Sequence, residues 1–300
     1  MIVGMRMHAA EADIDTALVR RLVAEQFPAW ADLPVEPVMS SGTVNAMYRL
    51  GDDLAVRLPR IPAAAGDVAA EQTWVPLLAP HLPVAVPAPV GLGTPAADYP
   101  YPWSVCQWLP GTNPAVDDLV EPDRLAEDLA AFVTALRRVA PAGAPAAGRG
   151  VPLAARDAPT RAAIAASDGL VDTAAITDIW DDALRLPLRS GPPTWMHADL
   201  SPGNLLVQDG RLTAVIDWGA AGVGDPTVDL IVAWNLLPAS ARRTFRDRLA
   251  VDDDTWRRGR GWALSISIIQ LPYYQHTNPV LAANSRHVIS EILAEEVTDE

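Results

Sequence analysis

The sequence predicts an α+β protein of two lobes, a small lobe built on an antiparallel sheet followed by a larger, mainly helical one. Three observations lead there. Up to Leu109 the apolar residues fall into short segments separated by turn residues, the signature of strands. Beyond Pro110-Gly111-Thr112-Asn113-Pro114 they recur at helical spacing. The chain's 300 residues also exceed what one small core usually spans. The expected division is 1–109 and 110–300.

The elements follow in order. Glu11 to Phe27 carries Ile14, Leu18, Leu22 and Phe27 at near-helical spacing and predicts an N-terminal helix. Val35 to Met39, Ala46 to Leu50 and Leu54 to Leu58 predict strands, with Gly51-Asp52-Asp53 turning between the last two. Ala63 to Ala79 has helical composition, and Pro76 is expected to distort or end it. Ala88 to Leu92 and Trp103 to Leu109 complete the sheet. In the second lobe, Pro122 to Val139 places Leu125, Leu129, Phe132, Val133 and Leu136 on one side of a helix. Pro141 to Pro152, rich in Ala, Gly and Pro, predicts a loose connector. Further helices are expected around 159–167, 173–186, 226–237, 239–249, 254–271 and 278–296.

Composition narrows the function classes. A net charge of −14 argues against duplex nucleic acid and anionic membrane as partners, and it suits a cationic small molecule. Apolar runs stay short of the roughly 18 residues of a membrane helix, and the N-terminus lacks a secretion-signal pattern, so a cytoplasmic location is expected. Cys106 is the only cysteine, which excludes an internal disulfide. The chain has no lysine; all 23 basic residues are arginine, so any phosphate-gripping cation is an arginine.

The chemistry concentrates between Trp195 and Asp229. His197, Asp199, Asn204 and Asp217 stand at the spacing of a kinase catalytic loop and its metal-binding segment. There Asp199 serves as the base that takes the proton of an attacking hydroxyl. Asn204 and Asp217 are oxygen donors of the kind magnesium prefers. Leu205 to Val207 and Leu212 to Ile216 flank Gln208-Asp209-Gly210, so a hairpin is expected to bring the two metal ligands together. His197 is read as a brace, Asp225-Pro226 as a helix cap, and Asp229 as an acceptor for the catalytic-loop backbone. In the first lobe, alternation puts Ala55 and Arg57 on one strand face. There a small side chain admits adenine and a cation reaches its phosphates, with Glu71 placed to pair with Arg57 and Asp67 as the competing carboxylate. Ser41, Gly42 and Thr43, between two strands, are the candidates for a phosphate-covering loop.

These segments, with Tyr48-Arg49-Leu50, Val56-Arg57-Leu58-Pro59-Arg60, Tyr101-Pro102-Trp103 and Gly259-Arg260-Gly261-Trp262-Ala263-Leu264, resemble the aminoglycoside phosphotransferase family over nearly the whole chain. The resemblance implies a protein-kinase-like two-lobed fold and transfer of a phosphate from ATP, with GTP as alternative donor, aided by Mg2+. It gives Asp199 the base role, Asn204 and Asp217 the magnesium, Arg57 the nucleotide phosphates, and the backbone of Gln107, Trp108 and Leu109 the adenine edge. Two departures stand out: Ala198 where the family has glycine, and arginine in place of the strand lysine. The acceptor it implies is a small-molecule hydroxyl, foremost an antibiotic such as an aminoglycoside or macrolide. The alternatives are a metabolic small-alcohol kinase and a nucleotide-binding protein without transfer activity. Asp252, Asp253, Asp254, Glu291, Glu295 and Glu296 are candidate partners for ammonium groups of an acceptor. Oligomeric state is not read from the sequence.

Overall fold

The computed structural model describes residues 11–39 and 44–299, and side chains as far as Glu295. The chain divides into two compact units, Met1–Gly111 with Ala214–Gly219, and Thr112–Thr213 with Ala220–Glu300.

The first unit is built on a five-stranded antiparallel sheet of order β1-β2-β3-β5-β4. Its strands are β1 (Val35–Pro37), β2 (Asn45–Leu50), β3 (Leu54–Pro59), β4 (Pro89–Gly93) and β5 (Trp103–Gln107). Helix α1 (Thr16–Gln26) starts at Asp15, whose carboxylate accepts from the Leu18 amide at 2.7 Å. On one face, Val19, Leu22 and Val23 of α1 pack with Leu50, Val56, Leu58, Tyr99, Trp103 and Val105. Strand alternation sends Ala55 and Arg57 of β3 to the other face. The Tyr99 hydroxyl, fully buried, donates to the Pro59 carbonyl at 2.7 Å.

Helix α2 (Ala65–Leu78) runs through Pro76 instead of breaking there. The proline sits in the last turn, where only one intrahelical bond is forfeited and few residues follow. The expected strand from Val35 to Met39 is shorter, ending at Pro37, and the one from Trp103 to Leu109 ends at Gln107.

The second unit is mainly helical. It holds α3 (Pro122–Arg138), α4 (Asp157–Ala166), α5 (Thr173–Arg185), α6 (Val232–Asn235), α7 (Ala239–Leu249), α8 (Asp253–Tyr274) and α9 (Pro279–Asp299). Leu125, Leu129, Phe132, Val133 and Leu136 of α3 are all buried. The helix expected over 226–237 is instead a 3₁₀ turn, Pro226–Ile231, running into the short α6. Asp225 caps the turn by accepting from the Thr227 amide at 3.1 Å, with Pro226 at its first position.

Two short strands, β6 (Thr194–Met196) and β9 (Gly222–Gly224), pair antiparallel around the catalytic-loop segment. Between them β7 (Leu205–Gln208) and β8 (Arg211–Val215) form the expected hairpin, turned by Asp209 and Gly210 at φ 51° and 73°.

The connector 141–152 is pinned, against expectation. The amide of Val223 donates to Pro145 at 2.8 Å, that of Ala147 to Val223 at 3.0 Å, and that of Asp225 to Gly150 at 3.0 Å. Gly150 and Gly224 pack backbone to backbone, since a Cβ on Gly224 would lie 2.7 Å from the Gly150 Cα. A segment with little side-chain bulk is therefore held as an extra edge on β9.

Two glycines separate the packing contributions. A Cβ on Gly93 would fall 2.0 Å from the Trp103 ring, whereas one on Gly66 of α2 meets nothing within 4 Å. Gly93→Ala is expected to destabilise by about 1–3 kcal/mol or more through overpacking, and Gly66→Ala to stabilise by about 0.5–1 kcal/mol through helix propensity. Denaturant melts of both variants check the pair.

Candidate active site

In the second unit the catalytic-loop segment is positioned by one buried carboxylate. Asp229, fully buried, accepts from the backbone amides of His197 at 3.0 Å and Ala198 at 2.7 Å, the role the sequence places on it. Burial raises its pKa, against the lowering influence of His197, the two amides and Arg137. Ala198 adopts the left-handed region at φ 65°. A glycine would adopt it without strain; here the two amide bonds at Asp229 hold an alanine in it. Asn235 donates to the Leu200 carbonyl at 2.8 Å, and Asn113 to those of Gly203 at 3.0 Å and Leu205 at 2.8 Å. The loop is thus fastened at both ends. His197 is fully buried within it.

Asp199 projects from this loop with both carboxylate oxygens engaged. Oδ2 accepts from Asn204 Nδ2 at 3.0 Å, and the same amide nitrogen reaches the Asp199 carbonyl at 2.9 Å. Oδ1 pairs with Arg149 Nη1, which also donates to the Ala198 carbonyl at 3.1 Å. With its nitrogen turned to Asp199, Asn204 keeps its Oδ1 as the acceptor available to a cation. Arg149 was missed by sequence reasoning. It lies in the Ala-Gly-Pro connector, and only the backbone bonds of that connector to β9 bring it to Asp199.

In the first unit Arg57 is the centre. Its buried guanidinium pairs with Glu71 of α2 and donates from Nη2 to Asp217 Oδ1 at 2.6 Å. With its amide oxygen inward, Asn45 of β2 accepts from Nε at 3.0 Å and Nη2 at 2.8 Å. Burial works against the Arg57 charge, but Asp217 and then Glu71 outweigh it and raise its pKa. Burial raises the pKa of Glu71 and of Asp67, each partly offset by Arg57 and reinforced by Asp217.

Asp217 also lies in the left-handed region, at φ 62°. A Cβ on Gly219 would lie 3.0 Å from Asp67, so glycine lets the turn after Asp217 pass the α2 carboxylate. Trp218 is buried and donates to the Val215 carbonyl at 2.9 Å, a packing role.

Ala55 is buried and stands opposite Cys106 on β5. Of the three backbone positions expected to meet a base, two amides are already used: Gln107 donates to Ala88 at 2.9 Å and Trp108 to Asp53 at 2.7 Å. Leu109 follows the strand end, where the backbone leaves the sheet. Ser41, Gly42 and Thr43 lie outside the described residues.

Asn204 in the second unit and Asp217 in the first each keep an oxygen, Oδ1 and Oδ2, of the kind magnesium prefers. Around Arg57, three carboxylates (Glu71, Asp67, Asp217) face one guanidinium, an excess of negative charge that a divalent cation would neutralise. Among the described residues no group of three or more His, Cys, Asp or Glu side chains is placed to hold a metal ion.

Residues 37–262 match the family model described as the phosphotransferase enzyme family (APH), and the chain belongs to that family. An aminoglycoside 3'-phosphotransferase of Escherichia coli is 39% identical over 59 residues, 20% of this chain and 22% of that protein. The stretches matched in such relatives span no more than 34% of their length. The solved GDP and kanamycin complex of APH(2")-IIia aligns with a TM-score of 0.73 at 20% identity, covering 93% of this chain and 99% of that one. The apoenzyme of macrolide 2'-phosphotransferase MphH from Brachybacterium faecium aligns at 0.64 and 22% identity, covering 93% and 97%. The fold is therefore the kinase-like one of these phosphotransferases, a five-stranded antiparallel unit followed by a helical unit.

The acidic side chains considered for an ammonium-bearing acceptor are largely engaged in structure. Asp252 caps α8 on the Thr255 amide at 2.7 Å, Asp253 pairs with Arg246, and Glu291 pairs with Arg242. Glu295 accepts from Trp234 at 2.6 Å and Trp256 at 3.1 Å. The Glu296 side chain lies outside the described residues.

Two predictions follow from this geometry. Arg57→Ala strands the buried Glu71 and is expected to cost about 3–5 kcal/mol; Arg57→Lys, which keeps a charge but not the fork, costs less. Because Glu71 holds its proton more tightly folded than unfolded, the Arg57→Ala variant loses stability as pH rises past about 4.3. Denaturant titrations at pH 5 and pH 8 therefore show the larger deficit at pH 8; equal deficits refute an ionised, stranded Glu71. Separately, burial, reinforced by Glu71 and opposed by Arg57, pushes the Cys106 thiol up to about 11. Its alkylation by iodoacetamide at pH 7.5 should be at least about tenfold slower than that of an ordinary thiol of pKa about 8.5, and should climb toward pH 11.

Proposed function

We propose that this protein moves the γ-phosphate of ATP, with GTP as alternative donor, to a hydroxyl of a small molecule. The observation that carries the reading is Asp199, presented on a loop fastened by Asp229 and held at both carboxylate oxygens. A base for phosphoryl transfer needs a fixed aim at the attacking hydroxyl.

In the proposed reaction the acceptor hydroxyl gives its proton to Asp199, and its oxygen forms a new bond to the γ-phosphorus. The bond from that phosphorus to the bridging oxygen breaks, and the nucleoside diphosphate leaves with the electron pair. Arg57, kept in place by Glu71 and Asn45, supplies positive charge for the nucleotide phosphates. Ala55 gives the base room, and the Leu109 backbone is the position left to meet its edge. Asn204 through Oδ1 and Asp217 through Oδ2 would hold magnesium, which when bound supplies charge neutralisation at the phosphates. Ser41, Gly42 and Thr43 remain proposed as the phosphate-covering loop.

The acceptor that the relatives' names favour is an aminoglycoside or macrolide antibiotic. A second reading, a kinase of a small metabolic alcohol, is favoured by one observation: four of the carboxylates proposed to meet ammonium groups, Asp252, Asp253, Glu291 and Glu295, are engaged in structure.

Asp199→Asn is expected to lower nucleotide-dependent transfer by at least about 100-fold, with nucleotide binding kept within a few-fold. A coupled assay of nucleoside diphosphate release, run across antibiotics and small alcohols, reads the first; equilibrium dialysis with ATP reads the second. Full activity in the variant would end the proposed mechanism.

A further inference from the structure

Arg149 reaches the catalytic loop from a segment that lies outside the named helices and strands. Residues 145–150 run along β9: the Val223 amide donates to Pro145, that of Ala147 to Val223, and that of Asp225 to Gly150. On its other side β9 pairs with β6, Thr194 facing Gly224 and Met196 facing Gly222, and His197 follows directly on β6. The segment and the strand that leads into the catalytic loop are thus the two flanks of one small ribbon. Gly150 and Gly224 set its spacing, since a Cβ on Gly224 would lie 2.6 Å from the Gly150 carbonyl oxygen. Arg149 stands one residue before that close approach.

At the loop Arg149 makes two contacts from one nitrogen. Nη1 pairs with Asp199 Oδ1 and also donates to the Ala198 carbonyl at 3.1 Å. It therefore grips the backbone just before Asp199 and the carboxylate itself. Asn204 holds the other oxygen, Oδ2, at 3.0 Å. The last torsion of an aspartate is broad, so a fixed backbone alone leaves the carboxylate plane free to turn. One anchored oxygen restrains that turn, and a second on the other oxygen sets it.

The Arg149 side chain has little part in holding the fold. Both partners of the pair are 32% exposed, and at such exposure water screens the attraction while two side chains lose freedom. The segment itself is attached by main-chain bonds that do not involve the guanidinium. What the pair governs is direction.

We propose that Arg149 is a positioning residue of the transfer step, fixing the plane of the Asp199 carboxylate so that a free lone pair meets the acceptor hydroxyl. This rests on Asp199 being the base, and it adds to that reading the group that aims it. Each carboxylate oxygen has more than one acceptor site, so the bonds from Arg149 and Asn204 leave room for the hydroxyl. Arg149 takes no proton and makes no bond to phosphorus. Its contact is to the base and not to the acceptor, so antibiotic and small alcohol are served alike.

The test is steady-state kinetics on the full chain, with ATP and whichever of kanamycin, erythromycin, choline and glycerol the parent turns over fastest. Arg149→Ala is expected to lower kcat at least about tenfold, the scale of a misplaced reacting group, with KM for ATP within about threefold. Its denaturation midpoint should stay close to the parent's. Arg149→Lys, which keeps a charge and a donor, should recover at least about threefold of the loss. Arg149→Met, which keeps only the stem, should recover none, and it carries the test if Arg149→Ala does not fold. Arg185→Ala, at an exposed arginine paired with Asp182, should leave kcat within about twofold. The proposal is overturned by an undiminished kcat in the Ala or Met variant, by a loss confined to KM for ATP, or by a loss that Lys does not relieve. Failure of the kinase reading looks different: the parent would transfer phosphate to none of the acceptors, or Asp199→Asn would match it.

Discussion

The candidate site of the second unit depends on one fully buried carboxylate. Asp229 takes the amides of His197 and Ala198 on its two oxygens, and that pair of bonds fixes the turn from which Asp199 projects. Left-handed backbone at a residue with a side chain costs of order 1 kcal/mol or more, and two neutral-donor bonds to an anion exceed that. The alanine at position 198 is consistent with this balance. Where the family uses glycine to make the turn free of strain, this chain makes it with alanine and lets Asp229 hold it.

The two units treat charge in different ways, and the all-arginine composition sharpens the difference. In the first, one guanidinium sits among Glu71, Asp67 and Asp217, so the balance is negative. In the second, the Asp199 carboxylate is paired with the Arg149 guanidinium, so the charge there is balanced. An overall charge of −14 says nothing of this. Most of the acid is spent on helix caps and ion pairs, as at Asp252, Asp253 and Glu291. The overall charge is therefore no guide to the charge around any one group.

Much of the fold was legible because its signals are local and periodic. The sheet strands alternate, α3 carries a regular apolar stripe, and Asp209-Gly210 announces a tight hairpin. The catalytic loop was legible for a different reason: its residue types sit at fixed offsets that only a few chemistries require. Strands β6 and β9 are three residues each, too short for any period to show. Pro76 misled because its cost depends on how many turns follow it, which composition does not reveal. Arg149 could not be found from pattern at all. It sits among Ala, Gly and Pro; what places it is hydrogen bonding to β9, contacts of long sequence separation.

The way residues 145–150 are attached has an evolutionary consequence. Their grip on β9 is made by main-chain atoms of Pro145, Ala147 and Gly150, so the side chains at 146 and 148 are free to drift, whereas Arg149 is held by Asp199 and Gly150 by its packing on Gly224. Length is another matter. Adding or deleting one residue there would shift Arg149 relative to the main-chain bonds that place it beside Asp199. Divergence in this stretch should thus be confined to a few letters and strict in count.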